Sequence, residues 1–503
     1  MSKRATPLKK PEIMLDQNAS APLYRQLYER LRGSILTGQL EAGTRLPSTR
    51  VLASSLGVSR TTTALAYELL LLEGYIESRV GDGTWVAHLQ PEQVFQGGRN
   101  AQDLDASDTA ETPPPAFARR GQVLIDMPYP EAFYGEQARR GRSLFLVGHP
   151  DVTSFPYETW ARLLARHARH SLQAVSCYQY VQGYLPLRQA IATHIGVTRG
   201  VHCSPDQIIL TTGGQGALDL VARVLLDPGD AAWVEDPGYS GARGALLAAG
   251  AQLVAVPIDG QGLDVDAGRQ LSPEARLAIV TPSHQFPTGV TMNLSRRLAL
   301  LEWSREAHAW IVEDDYDSEY RFSGRPLEAL HGLDRAGRVL YIGTFSKVLF
   351  PSLRLGYLVA PPELLTALIA THRLLAVHLP LLEQLALADF IAEGYFARHV
   401  RRMRQLYNER RNALVDALRR ELGDKLDVTV PEAGMHLAVW LPKGMSAQAV
   451  AQRAAASGLH ILPISHFSLR PLQRDGLLLG FASASPQELR AGVQTLALAL
   501  QAH

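Results

Sequence analysis

Cysteine is nearly absent. Cys177 and Cys203 are the two in 503 residues, and neither sits in a Cys-x-x-Cys pair. That excludes a disulfide framework and fits a reducing, cytoplasmic setting. Charge of one sign is missing as well. Fifty Lys and Arg stand against 49 Asp and Glu, a formal net charge of +1. No global field draws such a chain to nucleic acid or membrane, so DNA binding has to come from a local patch. Long apolar runs are also lacking. The most apolar stretch, Leu364 to Phe390, is interrupted by His372, Arg373, His378, Glu383 and Gln384, too polar for a bilayer span. Met1 to Lys10 is basic without an apolar core and does not read as a secretory signal. No internal repeat is found, and no metal site is assigned.

What is present divides by composition into three regions. Leu15 to His88 reads as a compact helical module ending in a hairpin. Leu89 to Gln122 holds Gly97-Gly98, the acidic run Asp103 to Glu111 and Pro113-Pro114-Pro115, with no periodicity, and reads as a flexible linker. About 30 flexible residues have an r.m.s. reach of roughly 30 Å, enough to set the first module on a partner subunit. Val123 to His503 alternates short apolar runs with helical patterns. Gln207–Thr211, Ala231–Val234, Leu253–Val256, Leu277–Val280, Trp310–Val312 and Val339–Ile342 predict buried, largely parallel strands with helices on both faces, an α/β architecture.

In the first region Leu23, Leu27, Leu31 and Ile35 mark one face of a helix that Gly38 closes. Ser48 is placed to cap a second helix, which stops at Gly57, and Ser59 to cap a third. On the third helix Leu65, Leu69 and Leu72 are expected to face inward, while Arg60, Thr61 and Thr62 occupy its exposed first turn. Two short helices joined by a tight turn, with basic and hydroxyl residues opening the second, suit a major-groove reader. Arginine pairs with guanine edges or clamps phosphate, and hydroxyls with helix N-terminal amides hold phosphate oxygens. Tyr75–Ser78 and Thr84–Ala87 flank Gly81-Asp82-Gly83 as a wing. A small helical bundle used for dimerisation also satisfies the helical spacing alone.

In the third region, Tyr341 to Lys347 sets a lysine just past a buried strand beside Thr344 and Ser346, with Arg354 seven residues on. A Schiff-base lysine needs a pocket poor in water, and a phosphate needs cations and hydroxyls nearby. Thr211 to Gly216 follows a strand and opens a helix, where small residues let backbone N–H groups approach a phosphate. Glu313-Asp314-Asp315-Tyr316 follows a strand, and a carboxylate there can keep a pyridine nitrogen protonated. Tyr239, after Asp236-Pro237-Gly238, offers a ring for stacking. Each element alone is also compatible with an ordinary turn.

Together these strings resemble known families. Leu46-Pro47-Ser48, Leu56-Gly57-Val58-Ser59-Arg60, Glu73-Gly74-Tyr75 and Gly81-Asp82-Gly83-Thr84 resemble the GntR-type winged helix-turn-helix. The resemblance implies DNA-binding roles for Ser48, Arg50, Ser59, Arg60, Thr61, Thr62 and Gly83, although a second basic position of the recognition helix is Ala64 here. Val123 to His503 resembles aminotransferases of fold type I, with a large parallel-sheet part and a smaller C-terminal part. Glu313 to Tyr320, Ser283 to Gly289 and Arg401 to Tyr407 are similar to motifs of the MocR/GabR group, which joins both domains.

That resemblance implies pyridoxal 5'-phosphate (PLP) held by Lys347 as an internal aldimine. Asp314 would meet the pyridine nitrogen, Tyr316 the phenolate oxygen and Tyr239 the ring face. Gly214, Gln215, Thr344, Ser346 and Arg354 would hold the phosphate. Tyr178 would reach the phosphate in the partner subunit, which makes a homodimer necessary. Two positions depart from the aminotransferase pattern. Phe286 replaces an asparagine before Pro287-Thr288-Gly289, and Leu478 fills the slot of the substrate-carboxylate arginine. The second departure argues against ordinary transamination. Arg243, Arg470, Arg474, His284 and His466 are the residues weighed as substitutes. The reading is a PLP-dependent regulator of operator DNA whose effector is PLP itself or an amino compound. The alternatives are a working aminotransferase with an accessory domain, and a DNA-binding protein with a cofactor-free scaffold.

Overall fold

The computed structural model describes residues 13–16, 19, 21–79, 82–88, 117–127, 144–171, 176–322 and 328–501. The chain divides into two compact units, Met1–Pro115 and Ala116–His503.

The first unit contains helices α1 (Leu23–Leu36), α2 (Thr49–Leu56) and α3 (Arg60–Leu72) and strands β1 (Arg45–Leu46), β2 (Ile76–Arg79) and β3 (Gly83–Val86). The strands form an antiparallel sheet in the order β1-β3-β2. Leu27, Leu31 and Ile35 of α1 pack on Leu52 of α2 and on Ala66, Tyr67 and Leu70 of α3. The inward face of α3 therefore differs from the expected one. Leu65 and Leu72 are 41% and 78% exposed, and the core contacts fall one or two residues away. The run Leu69 to Leu72 fits more than one helical face, so leucine spacing does not decide the register. Tyr67 settles it, because its hydroxyl donates to Pro47 O at 2.9 Å and ties α3 to the turn before α2. Gly57, at φ 66°, ends α2 in the left-handed conformation that glycine adopts without steric cost. Val80 and Gly81 of the wing tip lie outside the described residues.

Most of the expected linker also lies outside the described residues, but its end does not. Helix α4 (Arg119–Asp126) runs across the expected boundary at residue 122 and Arg120 reaches Ala248 O at 3.4 Å. The larger unit begins before Val123.

Its main sheet has eight strands in the order β4-β11-β10-β9-β8-β5-β6-β7. These are β4 (Ile208–Thr211), β5 (Ala231–Asp236), β6 (Gln252–Asp259), β7 (Gly262–Leu263), β8 (Leu277–Val280), β9 (Trp310–Asp315), β10 (Val339–Thr344) and β11 (Gly356–Val359). The five central strands from β10 to β6 are parallel; β11 is antiparallel to both β10 and β4. Parallel strands are stable when both faces are covered. Helices α5 (Gly214–Leu225) and α6 (Ser240–Ala249) cover one face through Leu218, Val221 and Leu246. Val265, Leu300 and Trp303 cover the other, with Trp303 stacked on Trp233 at 3.7 Å. A smaller antiparallel sheet, β12 (Asp427–Thr429), β13 (His436–Trp440), β15 (Gly476–Gly480) and β14 (Leu462–Pro463), follows the long helix α7 (Tyr395–Leu422). Four main-sheet strands, β5, β6, β9 and β10, run two or three residues past their expected ends. The acidic and hydroxyl groups Asp236, Asp314, Asp315 and Thr344 thus belong to the strands.

Candidate functional site

The parallel strands end on one edge of the main sheet, where connecting loops converge, the usual ligand position in such folds. A cavity of about 620 Å³ opens there. Nine residues expected at a cofactor site line it: Gly214, Gln215, Tyr239, Asp314, Tyr316, Thr344, Ser346, Lys347 and Arg354.

Their arrangement follows from the elements that carry them. Lys347 lies just past β10 and donates from Nζ to Gly148 O at 2.9 Å. Burial lowers its pKa to about 8, against the pull of Asp317 and Asp314, and Arg354 lowers it further. Lowering the pKa raises the share of the free amine that carbonyl condensation requires. Asp314 is the penultimate residue of β9, and burial, then Asp315 and Glu235, raise its pKa to about 7. A carboxyl held up by burial and like charge gains most from a cationic partner, which a protonated pyridine nitrogen supplies.

On the same cavity, α5 opens on Gly213 at φ 80° and Gly214. A side chain on Gly213 would approach the Arg354 guanidinium at 3.6 Å. Arg354 itself is left-handed, φ 50° and ψ 33°, and donates to Thr212 O at 2.8 Å. Ser346 N donates to Thr344 Oγ1 at 3.2 Å, while Ser346 Oγ is buried with no partner. A helix N-terminus, a guanidinium and an unpartnered hydroxyl make a phosphate cradle. These groups fit PLP.

Tyr239 caps the start of α6, and its hydroxyl donates to Gln215 Oε1 at 3.3 Å. Tyr178 is not among the cavity residues. It is 87% exposed, with its ring 5.9 Å from His378.

Several lining residues escaped the sequence reading. Gly148 and His149 arrive from the segment before the helix Tyr157–His170, and Asp317, Met435 and His436 also line the cavity. The buried apolar run Phe145–Val147 ahead of Gly148 was the signal available for the first pair. Phe286 lines the cavity, and Leu478 packs with Phe286 and Val147 in the apolar cluster beside it.

The residues weighed as substitutes for an arginine at Leu478 are engaged elsewhere. Arg470 bonds Asp236 and Ala255 O. Arg474 bonds the carbonyls of Trp440 and Leu441. Arg243 donates to Ser240, and His466 meets Gln448. None of the four lines the cavity. His284 is buried against Asp317 and Tyr316. Each of these side chains is bonded to a neighbour in its own surroundings.

In the first unit, Arg50, Arg60 and Thr61 are exposed. The hydroxyls of Ser48 and Ser59 accept from Val51 N at 3.3 Å and Thr62 N at 3.0 Å, so both are helix caps. Gly83 sits at φ 96°, where a side chain would meet Arg45 Nε at 3.2 Å. Arg45 and Arg79 lie over the Trp85 ring at 5.7 and 5.2 Å, a basic wing that the motif reading did not include.

Known proteins share both halves. Residues 147–496 match the family described as aminotransferase class I and II, and residues 23–86 match the bacterial regulatory proteins of the gntR family. The chain is 44% identical over 484 residues to a probable rhizopine catabolism regulatory protein, MocR, of Rhizobium meliloti, covering 96% of this chain and 95% of that one. It is 30% identical to the pyridoxine biosynthesis transcriptional regulator PdxR of Corynebacterium glutamicum, over 95% of this chain and 96% of that one. The solved structure of the α-aminoadipate aminotransferase LysN from Thermus thermophilus is similar with a TM-score of 0.68 and 32% identity. The match covers 76% of this chain and 97% of that one. With a winged helix-turn-helix and an aminotransferase fold on one polypeptide, matched together along 96% of its length, the chain belongs to the MocR/GabR group of gntR-type transcription regulators.

Proposed function

We propose that this chain regulates transcription as a cytoplasmic, PLP-dependent homodimer that binds operator DNA through Arg50, Arg60, Thr61, Thr62 and the wing around Gly83. The observation that carries the cofactor reading is the convergence of nine expected residues on one cavity, with a half-buried lysine of lowered pKa and an unpartnered hydroxyl. When bound, PLP supplies an aldehyde that condenses with amines and a ring that withdraws electrons. Lys347 offers the amine, Asp314 the counter-charge to the ring nitrogen, and Tyr239 a face for stacking. Gly214, Gln215, Thr344, Ser346 and Arg354 take the phosphate. The exposure of Tyr178 supports its reaching a partner's cavity, and so a dimer.

The effector is PLP itself or an amino compound. A carboxylate in a dry pocket needs a paired cation. Among the described residues, the cationic side chains lining the cavity are Lys347 and Arg354, both with cofactor roles. The apolar neighbours of Leu478 therefore favour a ligand without an α-carboxylate anchor over transamination of ordinary amino acids. The relationship to a regulator of pyridoxine biosynthesis points the same way.

The test is a titration of operator binding against PLP, followed by a panel of amino acids and amines over the PLP-loaded protein. PLP or an amine is expected to shift operator affinity. If one ordinary amino acid moves both the visible absorbance and the footprint while PLP leaves DNA affinity unchanged, the effector reading fails. Turnover of amino acid with 2-oxo acid at about 1 s⁻¹ or faster would establish the enzyme reading instead.

A further inference from the structure

Tyr316 and Asp317 line the cavity just past the end of β9, and His284, from the loop after β8, packs against them. The Tyr316 hydroxyl lies 3.0 Å from His284 Nδ1, and the same nitrogen lies 3.2 and 3.1 Å from the two Asp317 oxygens. His284 is 2% exposed and Asp317 1%. The approach is built into the backbone. Gly434, at φ 88°, packs where any side chain would collide with the His284 ring and come within 2.7 Å of Asp317 Oδ2.

The direction of these bonds follows from the donors available. A carboxylate only accepts, so Nδ1 carries the ring proton and shares it between Asp317 and the phenol oxygen. The phenol then accepts on its His284 side and keeps its own proton for another partner. The remaining nitrogen, Nε2, is a buried lone pair with no hydrogen-bond partner. An unmet acceptor of this kind is easier to tolerate than an unmet N–H.

Next to this network stands Phe286, which lines the cavity and has no donor. Its ring is 6.2 Å from that of Tyr316. In the aminotransferase pattern this position holds an asparagine amide that shares the cofactor's ring oxygen with the tyrosine.

We propose that His284, fixed by Asp317, is a positioning residue that holds the Tyr316 phenol with its proton turned into the cavity, so that one phenol does what a phenol and an amide do elsewhere. The inference rests on the PLP reading of the cavity. The titratable groups facing the network are Asp314, Asp315 and Glu235 around Tyr316, His436 with its ring 4.9 Å from His284, and Lys347 with Arg354 beyond Asp317.

The experiment uses full-length protein loaded with PLP and follows the pH midpoint at which its visible band converts to the near ultraviolet. A donor to the ring oxygen favours the deprotonated form of the lysine-linked species, so losing that donor raises the midpoint. His284→Leu and Tyr316→Phe are each expected to raise it by about one pH unit. The double variant should rise no further, because both changes remove one interaction. His284→Asn, which can present an N–H near the Nδ1 position, should restore most of the shift. His284→Phe, which keeps a ring at this position but has no N–H, is the second variant should His284→Leu fail to fold, and it too must raise the midpoint.

Additive shifts, or an unmoved midpoint in folded His284→Leu or His284→Phe, overturn the proposal. So does bound zinc at one per chain that leaves with a chelator and shifts the midpoint, because His284, Asp317 and His436 bring ligand atoms within 4.8 Å of one another. Wild-type protein with no visible band at all would instead refute the cofactor reading beneath it.

Discussion

In the smaller unit the residues assigned to DNA stand outside a core that does not include them. In the larger unit two of the residues assigned to the cofactor, Asp314 and Thr344, are the ends of buried strands themselves. Arg60 and Thr61 hang from the first turn of α3, while its opposite face packs on α1. Asp314, by contrast, is the penultimate residue of β9, paired in register with Ile342 of β10. The first arrangement lets surface chemistry change without touching the fold. The second couples the charge state of the site to the stability of the sheet.

The largest effect that could break this contrast is at Lys347. Lys347→Ala is expected to abolish the lysine-linked visible absorbance of PLP-treated protein while the far-ultraviolet circular dichroism stays native. A variant that keeps the band would place the cofactor's attachment elsewhere.

A few kcal/mol are at stake in the coupling between charge and fold. The Asp314 carboxyl is raised from 3.8 to about 7, by burial first and then by Asp315 and Glu235. Between those values the folded chain holds a proton that the unfolded chain has released, so stability falls as pH rises through the window. The cofactor-free protein should therefore be less stable near pH 7 than near pH 5 in the Asp314-dependent part of its denaturation profile. Asp314→Asn should flatten that part, and PLP should shrink it by offering a cationic partner. A profile unchanged by Asp314→Asn would uncouple the site from the sheet.

The smallest of the three effects concerns the exposed surface. Arg60→Ala should weaken operator binding by about 1–3 kcal/mol and relax specificity at one base position, without altering the visible absorbance. Mobility-shift titration at fixed salt measures it, and unchanged affinity removes Arg60 from the recognition surface.

The sequence made these two regions legible to different depths. Capping is local, so Ser48 and Ser59 could be assigned from the residues that follow them, and both accept the N–H groups expected. The buried face of α3 was misread because four consecutive leucines leave its phase open, and the contact of Tyr67 with Pro47 is a tertiary fact. In the larger unit the strand positions were readable from short apolar runs, and their C-terminal ends were underestimated because polar residues there look like turns. Asp317 lies inside a motif recognised by resemblance, yet its bond to His284 spans 33 residues and exists only because β8 and β9 are neighbours. His149 and His436 reach the same cavity from still more distant segments. Spacing along the chain carries no information about such meetings.

Arg354 holds a left-handed backbone that a branched or long side chain adopts rarely, at a cost of order 1–3 kcal/mol. Its guanidinium is already anchored on Thr212 O, across the mouth of α5. The anion receptor is thus set before any anion arrives. Capture of the phosphate group becomes a matter of encounter rather than rearrangement, so loading should keep pace with the supply of free cofactor.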